Sequence, residues 1–136
     1  MINKNIKLFL QESNAIEDVW DDDSLQRAIY AWEYLAKQKE MSVGVVLKTH
    51  KILMLHQNLQ PDEKGYFRKC EVFIGGHSGL NWIVVPEAMD IWVQNAWLFP
   101  EHWKEHHIRF EAIHPFLDGN GRVGRLLMNW EKLKAK

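Results

Sequence analysis

Apolar residues recur every three or four positions along most of this chain. The clearest stripe lies in "DDDSLQRAIYAWEYLAKQ", and its members are Leu25, Ala28, Ile29, Trp32 and Leu35. This spacing predicts an amphipathic helix, because side chains three and four residues apart lie on the same helix face. Asp23, with Gln26 in the third position after it, predicts a capping box at the start of that helix.

Further helices are predicted on both sides of this one. The helix-spaced apolar residues of "NKNIKLFLQESNAIE" are Ile6, Phe9, Leu10 and Ile16. Those of "SVGVVLKTHKILMLHQ" are Val43, Val46, Leu47, His50 and Met54. "PEAMDIWVQNAW" is predicted to begin at Pro86 and to end before Pro100, because proline suits a first turn and breaks a helix interior. Two last helices are predicted in "EHWKEHHIRFEAIH" and "GRVGRLLMNWEKLKAK".

One segment interrupts the helical pattern. "GYFRKCEVFIGGHSGLNWIVVP" is rich in aromatic and β-branched residues around a Gly-Gly-His-Ser-Gly centre. These features predict a β-hairpin within residues 66–85, with a loop of about three to five residues. Its first strand is predicted at Val72–Gly76 and the returning strand near Trp82–Val85. The predicted fold is therefore all-α, a helical bundle with one small β-hairpin, in a single domain of residues 1–136.

The composition agrees with one self-sufficient core. A chain of 136 residues with seven Trp and six Phe can bury enough apolar surface to fold without cross-links. Cys70 is the single cysteine, so an internal disulfide is impossible and a reducing, cytoplasmic compartment is expected. The longest apolar runs are shorter than the roughly 18 residues of a membrane span. The N-terminus has no small-residue cleavage site, so neither a membrane partner nor a signal peptide is predicted.

Charge is low in total but uneven along the chain. The net charge of −1 argues against a nucleic-acid partner. Residues 1–23 carry two Lys and six Asp or Glu, whereas residues 121–136 carry five Lys or Arg and one Glu. On charge alone this pattern is typical of two separate solvated faces, with an acidic start that lies against the basic end as the alternative.

The connection between the last two predicted helices, within "HPFLDGNGRVGR", has the composition of an anion site. Gly119 and Gly121 flank Asn120 directly before the last helix. Successive backbone N–H groups in such a turn can form an anion nest, and the helix N-terminus adds a positive dipole end. Arg122 and Arg125 share one helix face, and two guanidinium groups suit a polyphosphate. A glycine-rich turn with solvated charges is the alternative.

Two other residues of this loop supply chemistry. Asp118 suits Mg²⁺ beside phosphates, because Mg²⁺ prefers one or two carboxylates together with phosphate oxygens. His114 is the loop residue that can take a proton near pH 7. The whole string resembles the signature of the Fic family, HPFx(D/E)GNGRxxR, at every fixed position. The resemblance implies an α-helical enzyme that transfers AMP from ATP to a Ser, Thr or Tyr hydroxyl of a target protein.

The same resemblance implies a role for each residue of the motif. His114 would be the general base, and Asp118 would hold Mg²⁺ between the α- and β-phosphates of ATP. Arg122 would bind the β-phosphate region, Arg125 the γ-phosphate, and Phe116 would anchor the loop in the core. The anion cradle would be formed by three adjacent residues, Gly119, Asn120 and Gly121.

Two features of the family bear on the substrate. The Doc-like branch transfers phosphate and lacks the second glycine and second arginine of the motif, so Gly121 and Arg125 favour AMP transfer here. The family also docks a target segment on its hairpin, or flap, by strand addition. That role falls on Val72, Phe73, Ile74, Gly75 and Gly76. The target is an unidentified protein or the chain itself, and a homodimer is one candidate assembly.

"SNAIED" near the N-terminus resembles the inhibitory motif of the family, (S/T)xxxE(G/N), through Ser13 and Glu17. The resemblance implies an inhibitory helix within residues 1–20, whose Glu17 pairs with Arg125 and occupies the γ-phosphate site. Asp18 departs from the Gly or Asn of the pattern. A left-handed conformation at this helix end is one that Asp tolerates better than most side chains do.

Four alternatives remain open at this stage. Within the family, Glu17 could orient a water that removes AMP from a modified protein, or the donor could be another nucleotide. A non-catalytic interaction module with a Fic-like fold is an alternative of another class. "HWKEH" matches an inverted zinc-peptidase motif, in which His102 and His106 would share one helix face and bind zinc.

Overall fold

The computed structural model describes residues 3–136, and this part of the chain is a helical bundle with one small hairpin. Its six α-helices are α1 (Lys4–Ile16), α2 (Asp22–Ala36), α3 (Val43–Met54), α4 (Val85–Leu98), α5 (Trp103–Ile113) and α6 (Asn120–Lys134). Short 3₁₀ helices lie at Pro61–Glu63, Trp82–Val84 and Pro100–His102. The two strands are β1 (Phe73–Ile74) and β2 (His77–Ser78). The predicted all-α fold with a hairpin is confirmed.

Helix α6 is the element around which the site is built. It packs against α1, α2, α3 and α5, and its Trp130 and Leu127 are buried in the core. A Cβ atom on Gly124 would lie 2.6 Å from Glu111 Oε1 of α5, so glycine permits the close approach of these two helices. No helix in the described part of the chain combines the length and apolarity that crossing a membrane requires.

The cap of α2 differs from the predicted one. The capping box predicted from Asp23 and Gln26 is wrong, because the N-cap residue is Asp21. Its carboxylate accepts hydrogen bonds from the Ser24 backbone N–H at 2.9 Å and from the Ser24 hydroxyl at 2.8 Å. Asp23 therefore lies inside the first turn, where its negative charge interacts favourably with the positive end of the helix dipole and stabilises the helix.

The hairpin is also shorter than predicted. Its turn contains only Gly75 and Gly76, with φ values of 55° and 88°, so the chain returns at once through β2. Two consecutive residues with positive φ are typical of the two-residue turns that match strand twist. The returning strand predicted near Trp82–Val85 is wrong, because Trp82–Val84 forms a 3₁₀ helix that leads into α4. The Asn81 side chain begins that turn by accepting a hydrogen bond from the Ile83 N–H.

A buried His106–Glu131 pair joins α5 to α6. His106 Nδ1 and Glu131 Oε1 are within hydrogen-bond distance, and both residues are buried. Burial raises the pKa of Glu131 to about 8 and lowers the pKa of His106. Both shifts favour an uncharged hydrogen bond at neutral pH, in which the Glu131 carboxyl donates to His106 Nδ1. Nothing in residues 3–136 supports the zinc alternative, since no three His, Cys, Asp or Glu side chains there are grouped to hold a metal ion.

We expect Glu131→Gln to remove a pH dependence of stability. Between pH 4.5 and about 8 the folded chain keeps a carboxyl proton that the unfolded chain loses, so the free energy of unfolding falls as pH rises. Below pH 6.5 His106 opposes this trend, because its lowered pKa means that the unfolded chain gains the imidazole proton before the folded chain does. The fall is therefore steepest between pH 6.5 and about 8, at up to about 1.4 kcal/mol per pH unit.

Urea unfolding across this pH range measures the effect. Glutamine still donates a hydrogen bond to His106 but does not titrate, so the variant should show a flatter profile with little loss of stability at pH 6.5. Glu87→Gln, which removes an exposed carboxyl on α4, is the control and should keep the wild-type slope. Parallel profiles for the wild type and Glu131→Gln would contradict the assignment.

Candidate active site

The loop between α5 and α6 is shaped by two residues with left-handed backbone. His114 directly follows α5 with φ 50° and ψ 62°, and its N–H donates to the Phe110 carbonyl at 2.9 Å. Gly119 precedes α6 with φ 87°, where an added Cβ would lie only 2.8 Å from Met54 Sδ. These two turns direct His114 and the N-terminus of α6 toward one cavity.

Phe116 and Asn120 hold the loop in place. Phe116 is fully buried, as predicted, and stacks on His50 with ring centroids 3.8 Å apart. Asn120 Oδ1 accepts from the Phe116 N–H, and Asn120 Nδ2 donates to the Phe116 carbonyl, both at 2.8 Å. The Asn120 side chain therefore braces the loop, and only its backbone N–H is left for the predicted anion cradle.

His50 supports the same loop from α3. The Gly65 N–H donates to His50 Nδ1 at 2.9 Å, so Nε2 carries the ring hydrogen and donates to the Asp118 carbonyl at 2.8 Å. Burial lowers the pKa of His50 to about 4, which keeps the ring neutral at physiological pH. The sequence placed His50 on the apolar face of its helix. It gave no sign of the contact with Asp118, because that contact is made to a backbone carbonyl 68 residues away.

A cavity of about 390 Å³ opens over the N-terminus of α6. The cavity is also lined by Glu17, and the predicted motif residues that line it are His114, Asp118, Gly119, Asn120, Gly121 and Arg122. The first N–H groups of α6 have no acceptor within the helix, as at any helix start. Anions are favoured at this position by those N–H groups and by the helix dipole.

Arg122 contributes a buried guanidinium to the cavity. It is 5% exposed, and its Nη2 lies 3.6 Å from Met54 Sδ. Its Nε and Nη1 atoms find no hydrogen-bond acceptor among the residues that the structure describes. Burial lowers the pKa of Arg122, and the nearby Asp118 carboxylate offsets only part of this effect. Buried polar groups are nearly always hydrogen-bonded, so a guanidinium with two unpartnered nitrogens in the cavity wall suits an anion.

Arg125 is held by the end of α1. Its Nε donates to Ser13 Oγ at 2.7 Å, and its Nη2 donates to the Ser13 carbonyl at 2.9 Å and to Glu17 Oε2 at 2.8 Å. The predicted contact between Glu17 and Arg125 is confirmed. Asp18 has φ 57°, the left-handed conformation expected at this helix end. Residues 1 and 2 of the predicted inhibitory segment lie outside the described residues.

Gly121 lets this ion pair lie against α6. A Cβ atom on Gly121 would be 2.8 Å from Glu17 Oε2 and 3.0 Å from Arg125 Nη1. The Glu17 carboxylate therefore lies directly over the first turn of α6, at one side of the cavity.

The hairpin offers less strand than the sequence predicted. Of the proposed docking residues, Phe73 and Ile74 form β1, Val72 precedes it, and Gly75 and Gly76 form the turn. Within the described part of the chain, strand β1 pairs only with β2, so its other edge is unpaired there. Phe73 is 71% exposed, which agrees with a surface open to another chain.

The model of the Fic/DOC family matches residues 42–131, which include the whole loop and helices α3, α4 and α5. The chain belongs to the Fic/DOC family. The family predicted from "HPFLDGNGRVGR" is thus confirmed. Among curated proteins, Protein adenylyltransferase Fic of Drosophila ananassae is 33% identical over 114 residues, and that of Drosophila erecta is 34% identical over 112. Each alignment covers 74% of this chain and 21% of the relative, so this Fic chain spans about a fifth of their length.

Solved structures of Fic proteins share the fold. Fic-1 of C. elegans superposes with a TM-score of 0.79 at 22% identity, covering 99% of this chain and 50% of that one. A Fic family protein from Desulfovibrio desulfuricans G20 gives 0.69 at 23% identity, covering 97% of this chain and 47% of that one. At this level of identity the match establishes the helical architecture of the bundle.

Proposed function

We propose that this Fic protein transfers AMP from ATP to a hydroxyl side chain of a protein. The observation that carries the proposal is the buried Arg122, with two unpartnered nitrogens, in one cavity with His114 and Asp118. The relatives named Protein adenylyltransferase Fic support the same reaction.

Asp118 would hold the Mg²⁺ that this reaction uses. Its side chain accepts one hydrogen bond, from the Gly119 N–H at 2.8 Å, and is exposed to the cavity. One carboxylate beside a phosphate site fits the ligand preference of Mg²⁺. When bound, the ion would neutralise charge on the phosphates of ATP.

His114 would act as the general base. Its buried Nδ1 has no hydrogen-bond partner among residues 3–136, and its Nε2 would meet a substrate in the cavity. Nε2 would take the proton of the target hydroxyl as that oxygen bonds to the α-phosphorus. The bond from the α-phosphorus to the oxygen bridging it to the β-phosphate breaks, and pyrophosphate leaves. Arg122 and the first N–H groups of α6 would hold the phosphates, so that positioning and charge neutralisation drive the transfer.

The target segment would dock on the free edge of β1. Strand addition to an exposed edge uses main-chain hydrogen bonds, so it needs no particular sequence in the target. The pair Phe73 and Ile74 offers one exposed and one half-buried side chain for specificity. The target would be another protein or a second copy of this chain, and a homodimer would bring two copies together.

We also propose that α1 inhibits the reaction. Arg125 is the residue that would hold the γ-phosphate, and in this structure its hydrogen bonds go to Ser13 and Glu17. If Arg125 did not hold the γ-phosphate, ATP would bind with its α-phosphate out of reach of His114. Glu17 would therefore compete with the γ-phosphate for one guanidinium.

Label transfer tests the proposed reaction in the Glu17→Gly variant, which lacks the proposed inhibitor. The variant is incubated with Mg²⁺ and with ATP labelled at either the α- or the γ-phosphate. We expect protein-bound label from the α-phosphate alone, and its loss when EDTA removes the metal. Label from the γ-phosphate alone would show phosphate transfer instead. If the folded variant transferred no label from ATP, and none from GTP, CTP or UTP, the transferase proposal would be wrong.

A further inference from the structure

The buried side chain of Arg68 connects the flap to the catalytic loop. We define the flap as residues 72–79, which the hydrogen bond from the Gly79 N–H to the Val72 carbonyl closes at 2.8 Å. Arg68 lies beneath it and is 4% exposed. It donates to four carbonyl groups, those of Cys70, Leu80, Ile113 and His114, at 2.8, 2.5, 3.1 and 2.6 Å. One planar group thus holds the end of α5 and the chain on both sides of the flap.

These carbonyls are the hydrogen-bond partners of the Arg68 guanidinium, and no ion pair in the described part of the chain involves it. Burial lowers the pKa of Arg68, and the nearby Cys70 and Glu71 partly offset that effect. The carbonyls at the end of α5 form the negative end of the helix dipole and lack acceptor partners within the helix. Burying a charge is costly, so an apolar residue would fill the same space at lower cost. Arginine alone supplies a rigid fork that reaches three chain segments at once.

The backbone of His114 depends on this fork. The backbone of His114 has the left-handed conformation, which residues other than glycine rarely adopt. Its carbonyl accepts from Arg68 Nε, and the next carbonyl, that of Pro115, accepts from the Arg68 backbone N–H at 2.9 Å. A change at Arg68 would therefore rotate the peptide groups on which the His114 ring is mounted.

We propose that Arg68 is a positioning residue that sets the His114 ring relative to the flap. It would keep a hydroxyl docked on the flap within reach of the ring nitrogen. This inference rests on the proposed function, in which the flap carries the target and His114 takes its proton. Reacting atoms must approach to about 3–3.5 Å, and a displacement of about 1 Å can cost about 10²-fold in rate.

Arg68→Lys, made in the active Glu17→Gly background, tests the proposal. Lysine keeps the charge, but its single nitrogen cannot span the three segments. We expect kcat for AMP transfer to fall about 10²-fold. The Kd for ATP with Mg²⁺, measured by calorimetry, should change less than about twofold, because Arg68 does not line the phosphate cavity. Lys69→Met, at the exposed neighbouring position, is the control and should leave both values unchanged.

A second measurement does not depend on activity. Amide hydrogen exchange should become faster in residues 72–79 and 114–117 together in Arg68→Lys, while the rest of the bundle keeps its protection. A merely structural role would raise Kd and lower kcat together, or accelerate exchange throughout, and either result would overturn the proposal. An unchanged kcat would overturn it as well. If Glu17→Gly itself transferred no label, the proposed function would fail, and the exchange pattern alone would decide the coupling role of Arg68.

Gly79→Ala provides a second variant should Arg68→Lys fail to fold. Its added Cβ would lie 3.3 Å from Arg68 Nη2 and 3.1 Å from Val72 Cγ2, so the guanidinium must shift slightly while its charge stays in place. We expect the same separation of kcat from Kd, with a loss of roughly tenfold for this smaller displacement. A rate equal to that of the Glu17→Gly parent would count against the positioning role.

Discussion

Replacing His114 by alanine in the Glu17→Gly background is expected to lower the rate of AMP transfer by about 10²- to 10⁴-fold. General base catalysis by a positioned side chain is typically worth this much. The Kd for ATP with Mg²⁺ should be nearly unchanged, because Arg122 and the first turn of α6 would supply the phosphate contacts. The initial rate of label transfer from the α-phosphate, with parallel calorimetry, measures both quantities.

His102→Ala is the matched control for this experiment. His102 is exposed at the start of α5 and does not line the phosphate cavity, so its removal should leave transfer unchanged. A fall of less than about tenfold in His114→Ala would show that another group accepts the proton. A large rise in Kd would instead assign His114 to nucleotide binding.

The residues that line the cavity could be predicted because most of them are neighbours in the chain. The residues from His114 to Arg122 form one loop and the first turn of one helix, so their order in the sequence determines their order in space. The contact of Glu17 with Arg125 was predictable only through the family resemblance, since 108 residues separate the two. The opposite charges of the two chain ends agree with that contact but do not select the pair.

The residues that brace the site could not be predicted, because the groups that they contact lie far away in the sequence. Arg68 and His50 act on backbone carbonyls 46 and 68 residues away, and a carbonyl leaves no mark on the sequence. The errors at the hairpin and at the start of α2 were local ones. Two glycines were compatible with several turn lengths, and both Asp21 and Asp23 could serve as the helix cap.

The contacts of Arg125 make the proposed inhibition a competition for one side chain. The Glu17 carboxylate, about one-third exposed, accepts from the guanidinium that would hold the γ-phosphate. Hydrogen bonds to charged groups are typically worth about 1.5–3 kcal/mol, and each 1.4 kcal/mol is about a factor of ten. Productive binding of ATP must overcome this contact, while Ser13 can continue to orient Arg125.

Glu17→Gly is therefore expected to raise the rate of AMP transfer by about 10- to 100-fold over the wild type. Glu17→Gln keeps the shape of the side chain but loses its charge, so it should give an intermediate rate. Glu12→Gly is the control for a loosened helix, because it places glycine on an exposed position of α1 and leaves the contact with Arg125 intact. If Glu12→Gly activated the protein as much as Glu17→Gly, the whole of α1 would be the inhibitor. If neither variant exceeded the wild-type rate, Glu17 would not restrain the reaction, and its carboxylate would be free to serve another step in the same cavity.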